Sequence, residues 1–289
     1  MAARSLRIIA VVQARLGSTR LPRKALADIA GRPMLAHVLA RAALVPGVDQ
    51  VVLATTESPE DDALVEVARA TGIACVRGSV DDVLDRFRAA LAAHPADAIV
   101  RITADCPLLD PAVSGLVVDA FRRAGDLDYA SNVHPPTYPD GLDTEVIAAP
   151  ALEVAWREAR RPSDREHVTP FIWRQPDRFR LANVAAPEDR SALRFTVDDE
   201  RDLAFVRETY RALTGDGRLF GLAAVLDLLR ARPELVSWNA GTARNEGFER
   251  ARRAEETAGG HAGLAPAGGH AATAKKHTGL APAAKGQGT

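Results

Sequence analysis

Apolar positions in the first half of the chain follow two alternating patterns. Short β-branched runs at residues 7–13, 49–55, 73–76 and 98–103 read as buried strands, because they are too short for helices and close on turn residues. Between them, apolar residues recur three and four apart, the period of a helix with one buried face. The first such stretch carries Leu35, Val38, Leu39 and Ala42 on one face, with Pro33 at its first position. The second opens on Ser58-Pro59-Glu60-Asp61 and stops before Gly72. A third, from Asp81, carries Leu84, Phe87 and Leu91 inward, and a fourth begins at Asp110-Pro111. Strand and helix alternating over short links predict right-handed crossovers and a largely parallel α/β sheet covered on both faces. Ligands of such sheets sit beyond the carboxyl ends of the strands.

The second half changes style. Strands are expected at 128–133 and 142–147, on either side of a Pro-rich loop, and helices near 150–160 and 164–174. A strand-like 179–184 closes an excursion from the sheet over about 150–184. Residues 193–199 read as a returning strand that ends on acids, followed by helices at 202–213 and 219–230. Beyond about Asn245 the chain turns to Ala, Gly, Lys and His, and residues 261–267 nearly repeat as 277–283. That stretch lacks the apolar residues to bury itself. Residues 1–248 are therefore expected to form one domain and 249–289 a disordered tail, with His261, His270 and His277 solvated.

Charge narrows the partners. With 37 Lys and Arg against 38 Asp and Glu, the net charge of −1 gives no bulk attraction to nucleic acid or an anionic membrane. An anion site must then be a local cluster. Cys75 and Cys106 lie far apart with no metal-type spacing, which suits free thiols in a reducing cytoplasm. No apolar run approaches membrane-spanning length, and residues 1–7 lack a signal-peptide core, so a cytoplasmic protein is expected.

The local cluster is the loop after the first strand. Gly17 and Ser18 let the backbone approach a ligand, and Arg15, Arg20, Arg23 and Lys24 add cationic donors beside them. A phosphate loop and a plain basic surface loop both fit that spacing. Asp105 and Asp198 each end a strand facing the same crevice, as a magnesium site requires; a turn acid and a helix cap are the alternatives. Asp81, Asp82 and Asp85 suit a helix start, and Ser79 or Arg86 suits base recognition. Asp143 and Glu145 share a strand face that matches sugar hydroxyls as well as it matches surface alternation. Ser163 with Glu166 reads as a capping box, which leaves Arg165 and His167 unexplained, while His37 reads as a surface or structural residue without a partner. No Gly-x-Ser-x-Gly elbow, Walker A loop or Gly-x-Gly-x-x-Gly fingerprint follows the first strand.

Taken together, residues 13–24 (QARLGSTRLPRK) resemble the signature of the cytidylyltransferase superfamily that activates acidic sugars. Four further segments resemble the branch named after the spore coat polysaccharide biosynthesis protein F: 77–86 (RGSVDDVLDR), 101–111 (RITADCPLLDP), 165–170 (REHVTP) and 194–198 (RFTVD). The resemblance spans about 7–213 and implies a three-layer α/β/α nucleotide-diphospho-sugar transferase fold with a mixed, mostly parallel sheet. It implies CTP and a sugar or sugar acid as substrates, Mg2+ as cofactor, and a CMP-sugar and pyrophosphate as products. Ala14, Arg15, Gly17, Ser18, Lys24, Gly78, Ser79, Asp82 and Arg101 would then meet the nucleotide, with Arg15, Lys24 and Asp105 catalytic. Asp105 and Asp198 would hold the metal, and Asp143, Glu145 and His167 would face the sugar. A homodimer built through 150–184 is expected, with Trp156, Phe171, Ile172 and Trp173 as core or interface. Two other classes stay open: a glycosyltransferase of related fold that consumes a nucleotide sugar, and a non-catalytic nucleotide-binding protein.

Overall fold

In the computed structural model, which describes residues 6–214 and 219–259, the chain folds around strand β1 (Ile8–Gln13). A loop follows, then a small antiparallel pair, β2 (Asp28–Ile29) and β3 (Arg32–Pro33), and helix α1 (Met34–Ala42). Next come β4 (Gln50–Thr56), α2 (Asp62–Ala70), β5 (Ala74–Gly78), α3 (Val83–Ala93), β6 (Ala98–Thr103) and α4 (Pro111–Ala124). The later elements are β7 (Tyr129–Ser131), β8 (Glu145–Ala148), α5 (Ala149–Glu158), α6 (Pro162–His167), α7 (Pro170–Trp173) and β9 (Leu181–Asn183). Three helices complete the chain: α8 (Glu200–Leu213), α9 (Leu222–Ala231) and α10 (Glu246–Gly259).

The seven-stranded sheet has the order β5-β4-β1-β6-β8-β7-β9. Neighbours pair in parallel except β8, which runs antiparallel to both β6 and β7. The period of two along β1 explains the layers. Ile8, Ala10 and Val12 pack with α1, α2 and α4 on one face, while Ile9 and Val11 pack with α3 and α5 on the other. A third apolar cluster joins α8 and α9 to the ends of this sandwich through Phe195, Phe205, Val206 and Leu229. The expected three-layer α/β/α arrangement with a mixed, mostly parallel sheet is the observed one.

The second half departs from expectation in four places. Residues 193–197 are extended but do not join the sheet. Their partners are turns: the Asp140 N–H donates to the Leu193 carbonyl at 2.9 Å, and the Val197 N–H to the Asp105 carbonyl at 2.8 Å. The helix expected over 164–174 breaks in two at Val168, whose φ is +70°. Ser163 does not cap it; Ser163 is helical itself, and its N–H and Oγ–H both donate to Glu255. Residues 249–259, assigned to the tail from composition, are the body of α10, stabilised along one side by the Arg252 pairs with Glu249 and Glu256. The tail beyond, with its three histidines, lies outside the described residues.

Of the side chains proposed for an interface, Ile172 is fully buried, and Trp156, Phe171 and Trp173 pack on the α3–α5 face of the chain's own core. His37 is also a core residue: it is buried, its Nε2 is 2.7 Å from the Ile29 carbonyl, and its ring meets Tyr210 edge-on. No helix among the described residues is long and apolar enough to cross a membrane.

Gly141 shows where the backbone demands glycine. Its φ is +100°, and a Cβ there would lie 2.6 Å from the Thr196 nitrogen. Gly17 is the opposite case, with open space where its Cβ would be. Gly141→Ala is therefore expected to lower unfolding stability by at least about 2 kcal/mol, and Gly17→Ala by a few tenths, measured by chemical denaturation.

Candidate active site

The loop after β1 is held from below before any ligand arrives. Leu16 and Leu21 are buried, and the Leu16 N–H donates 2.8 Å to Asp61 Oδ1. The other oxygen of Asp61 accepts from the hydroxyls of Thr55 and Thr56 at the end of β4. Asp61 is 1% exposed. Its place at the start of a helix disguised it in the sequence as an acid serving the helix dipole.

Lys24, at the far end of the loop, reaches across the strand ends. Its Nζ donates to Asp105 Oδ2 and to Asp198 Oδ1, each at 2.8 Å, and to the Val197 carbonyl at 2.9 Å. Burial opposes a charged lysine, but the two carboxylates outweigh it and hold the ammonium well above its ordinary pKa. Burial likewise works against Asp198, yet Lys24 and then Arg194 bring its pKa down to about 2. Asp105 is lowered for the same reason, with Lys24 overcoming burial. The second oxygen of Asp198 takes Arg194 at 2.7 Å and Arg20 at 3.1 Å. Asp198 is not a helix cap; Asp199 fills that role for α8 in a capping box with Asp202.

These groups line a cleft of about 390 Å³ at the carboxyl ends of β1 and β6. Ala14, Arg15, Gly17, Ser18, Arg20 and Lys24 form one wall, Val83 and Arg86 a second, and Glu166 and His167 from α6 a third. Thr103, Ala104, Asp105 and Asp198 lie between them, and Arg250 of α10 completes the rim. A larger hollow of about 490 Å³ on the outer side of α5 holds none of these residues.

The residues matched by the family model for cytidylyltransferases run from 9 to 214, the span that supplies every lining residue of this cleft named above except Arg250. The chain belongs to the cytidylyltransferase family. It is a CTP-using nucleotidyltransferase, which favours cytidylyl transfer over the two other classes left open by the sequence. It is 34% identical over 237 residues to an uncharacterised protein of Methanocaldococcus jannaschii, covering 81% of this chain and 95% of that one. It is 30% identical to the spore coat polysaccharide biosynthesis protein SpsF of Bacillus subtilis, covering 80% of this chain and 97% of that one. A solved cytidylyltransferase from Leptospira borgpetersenii superposes with a TM-score of 0.77 at 28% identity, covering 83% of this chain and 100% of its own.

Within this cytidylyltransferase, the other residues singled out from the sequence lie beside the cleft rather than on its walls. Gly78, Ser79 and Asp82 wrap Arg86: its Nη1 donates to the Ser79 carbonyl at 2.5 Å, and the Gly78 backbone leaves room for its Cγ. Asp82 caps α3 through the Asp85 N–H at 2.9 Å and pairs with Arg165 of α6, which accounts for Arg165. Arg101 lies under the floor, between Gln13 and Glu145. Glu145 also accepts from the Tyr129 hydroxyl at 2.5 Å, and Asp143 pairs with Arg244. Among the described residues, then, His167 is the member of the expected sugar-facing set that lines the cleft.

His167 is held neutral. Burial, followed by the nearby Arg101, pushes its pKa down to about 4, and its buried Nε2 has no hydrogen-bond partner among the described residues. The unfolded chain regains an ordinary histidine near 6.5, so it binds the proton first as pH falls. Stability is therefore lost on acidification from about pH 6.5 towards 4. Against His167→Asn, the wild type should lose on the order of 1–2 kcal/mol between pH 7 and pH 5, read from urea melts at both values.

Proposed function

We propose that this enzyme transfers CMP from CTP to a hydroxyl of a sugar acid, releasing pyrophosphate, for a surface polysaccharide or glycoconjugate. The observation that carries the reading is the Lys24 bridge between Asp105 and Asp198 beside a loop that offers backbone and arginine donors to a triphosphate. Sugar acids as acceptors are supported by relatives such as the 3-deoxy-manno-octulosonate cytidylyltransferase of Geobacter metallireducens, 37% identical over 129 residues, 42% of this chain and 49% of that one. The Bacillus relative's part in spore coat polysaccharide biosynthesis supports the destination.

Asp105 and Asp198 fit a divalent cation, since they already share one positive charge at 2.8 Å from each. Magnesium suits them because it takes one or two carboxylates together with phosphate oxygens. When bound, it would neutralise triphosphate charge and polarise the α-phosphate. The loop residues Arg15, Gly17, Ser18 and Arg20 would bind the phosphates, and Val83 with Arg86 would face the base. His167, neutral and on the cleft wall, would take the proton of the acceptor hydroxyl through whichever ring nitrogen the bound acceptor meets. In that step the acceptor oxygen bonds to the α-phosphorus, the bond from the α-phosphorus to the bridging oxygen breaks, and pyrophosphate leaves with the electron pair. Aligning the reactants accounts for most of the rate, as in other phosphoryl transfers. A cytoplasmic homodimer is the expected working form, and light scattering checks the assembly.

Incubation with each nucleoside triphosphate, magnesium and a panel of sugars and sugar acids should release pyrophosphate with CTP and a sugar acid. Hydrolysis of a nucleotide sugar without pyrophosphate release from CTP would point instead to a glycosyltransferase. Asp105→Asn should lower kcat at least about 100-fold, the scale of a lost charge-stabilising group; unchanged turnover would remove Asp105 from the metal site. His167→Asn should cost about 10- to 100-fold in kcat/KM, with CTP binding retained.

A further inference from the structure

Helix α10 lies beyond the residues matched by the family model, yet it closes one side of the cleft. It is fastened at three points. Glu246 accepts from Arg20 of the phosphate loop at 2.8 Å. The Phe248 ring meets the His167 ring edge-on at 5.2 Å and the Trp173 ring at 6.0 Å. Glu255 accepts from the Ser163 N–H and Oγ–H at 2.5 and 2.9 Å. Arg250 falls between these fastenings and lines the same cleft as Gly17, Ser18 and Arg20.

The cations of the cleft differ in what they already hold. Lys24 is engaged by Asp105 and Asp198, and Arg20 by Asp198 and Glu246. Arg86 donates to the carbonyls of Ser79 and Val80, and Arg15 has Glu166 at 3.8 Å. Arg250 has no ion-pair or hydrogen-bond partner among the described residues, and it is exposed to the cleft. The fold spends none of this charge on itself. A guanidinium offers parallel donors that match a phosphate or carboxylate, and the anchored helix holds it in position to do so.

We propose that Arg250 is an anion-binding residue of the active site, taking the anionic oxygens of a bound substrate. Those oxygens belong either to the polyphosphate of the nucleotide or to the carboxylate of a sugar acid. Helix α10 is thus a working part of the enzyme. The proposal rests on the cytidylyl-transfer reading for the identity of the substrates.

Calorimetric titration of the full chain separates the sources. CTP, CMP, inorganic pyrophosphate and 3-deoxy-manno-octulosonate are each titrated, with magnesium, into wild type, Arg250→Met and Arg250→Lys. If phosphates are the ligand, Arg250→Met weakens CTP and pyrophosphate about tenfold and leaves CMP within about twofold, and Arg250→Lys recovers part of the loss. A loss confined to the sugar acid assigns the residue to the carboxylate. Unchanged affinity for all four ligands overturns the proposal, as does an equal loss for all four that Arg250→Lys does not relieve. Pyrophosphate carries no base, so that arm still decides the matter if wild type does not bind CTP.

Discussion

One ammonium group ties the cleft together. Lys24 comes from the loop after β1, Asp105 from the end of β6, and Asp198 from a segment that never enters the sheet. Two carboxylates brought this close repel each other and resist ionising unless a cation stands between them. Lys24 supplies that cation, and both acids stay charged in a half-buried site. The arrangement continues behind Asp198, where Arg194 also holds Asp140 at 3.0 Å and Asp202 at 2.9 Å. A single charge network thus runs from the loop after β1 to the start of α8. Removing one member leaves an uncompensated charge, which is why such clusters are more sensitive to loss of a partner than to replacement of the whole.

The cleft divides by chemistry around this bridge. On the side of β4 and β5, Arg86 props the 79–80 turn through its carbonyls. On the side of β8, Glu145 is locked by Arg101 and Tyr129 beneath His167. The antiparallel course of β8 places Glu145 opposite Arg101 in register, so that pair is a product of sheet topology. Burial, followed by the charge of Arg101, keeps His167 uncharged against the opposing pull of Glu145.

What the sequence made legible follows the range of the forces involved. Strands β1, β4, β5 and β6 and helices α1 to α4 were readable because apolar periodicity is local. Asp105 stood out as an acid just past β6 and Lys24 as part of the cationic loop after β1, whereas Asp198 was picked out at the end of a strand that does not form. Residues 193–197 were misread because extended backbone becomes a strand only when a neighbouring strand is free to pair, and here the neighbours are turns at Asp140 and Asp105. Val168 was invisible: a β-branched residue at positive φ is disfavoured locally and is held there by its surroundings. Helix α10 was lost in the average composition of a long polar segment, although its Glu249–Arg252–Glu256 spacing carries a helical period. Asp61 and Arg250 needed the fold itself, since nothing in their neighbours announces a contact some 45 residues away or a place on the rim.

Asp61 carries a mechanical consequence. Its two oxygens join the backbone of the loop after β1 to the threonines that end β4. The loop's conformational entropy is therefore lost when the chain folds, at roughly 1–2 kcal/mol per residue, rather than when a ligand binds. The same joint couples two neighbouring strand ends. The loop can therefore shift against the end of β4 only by breaking the buried Asp61 contacts, which ties the position of Leu16 to that strand end.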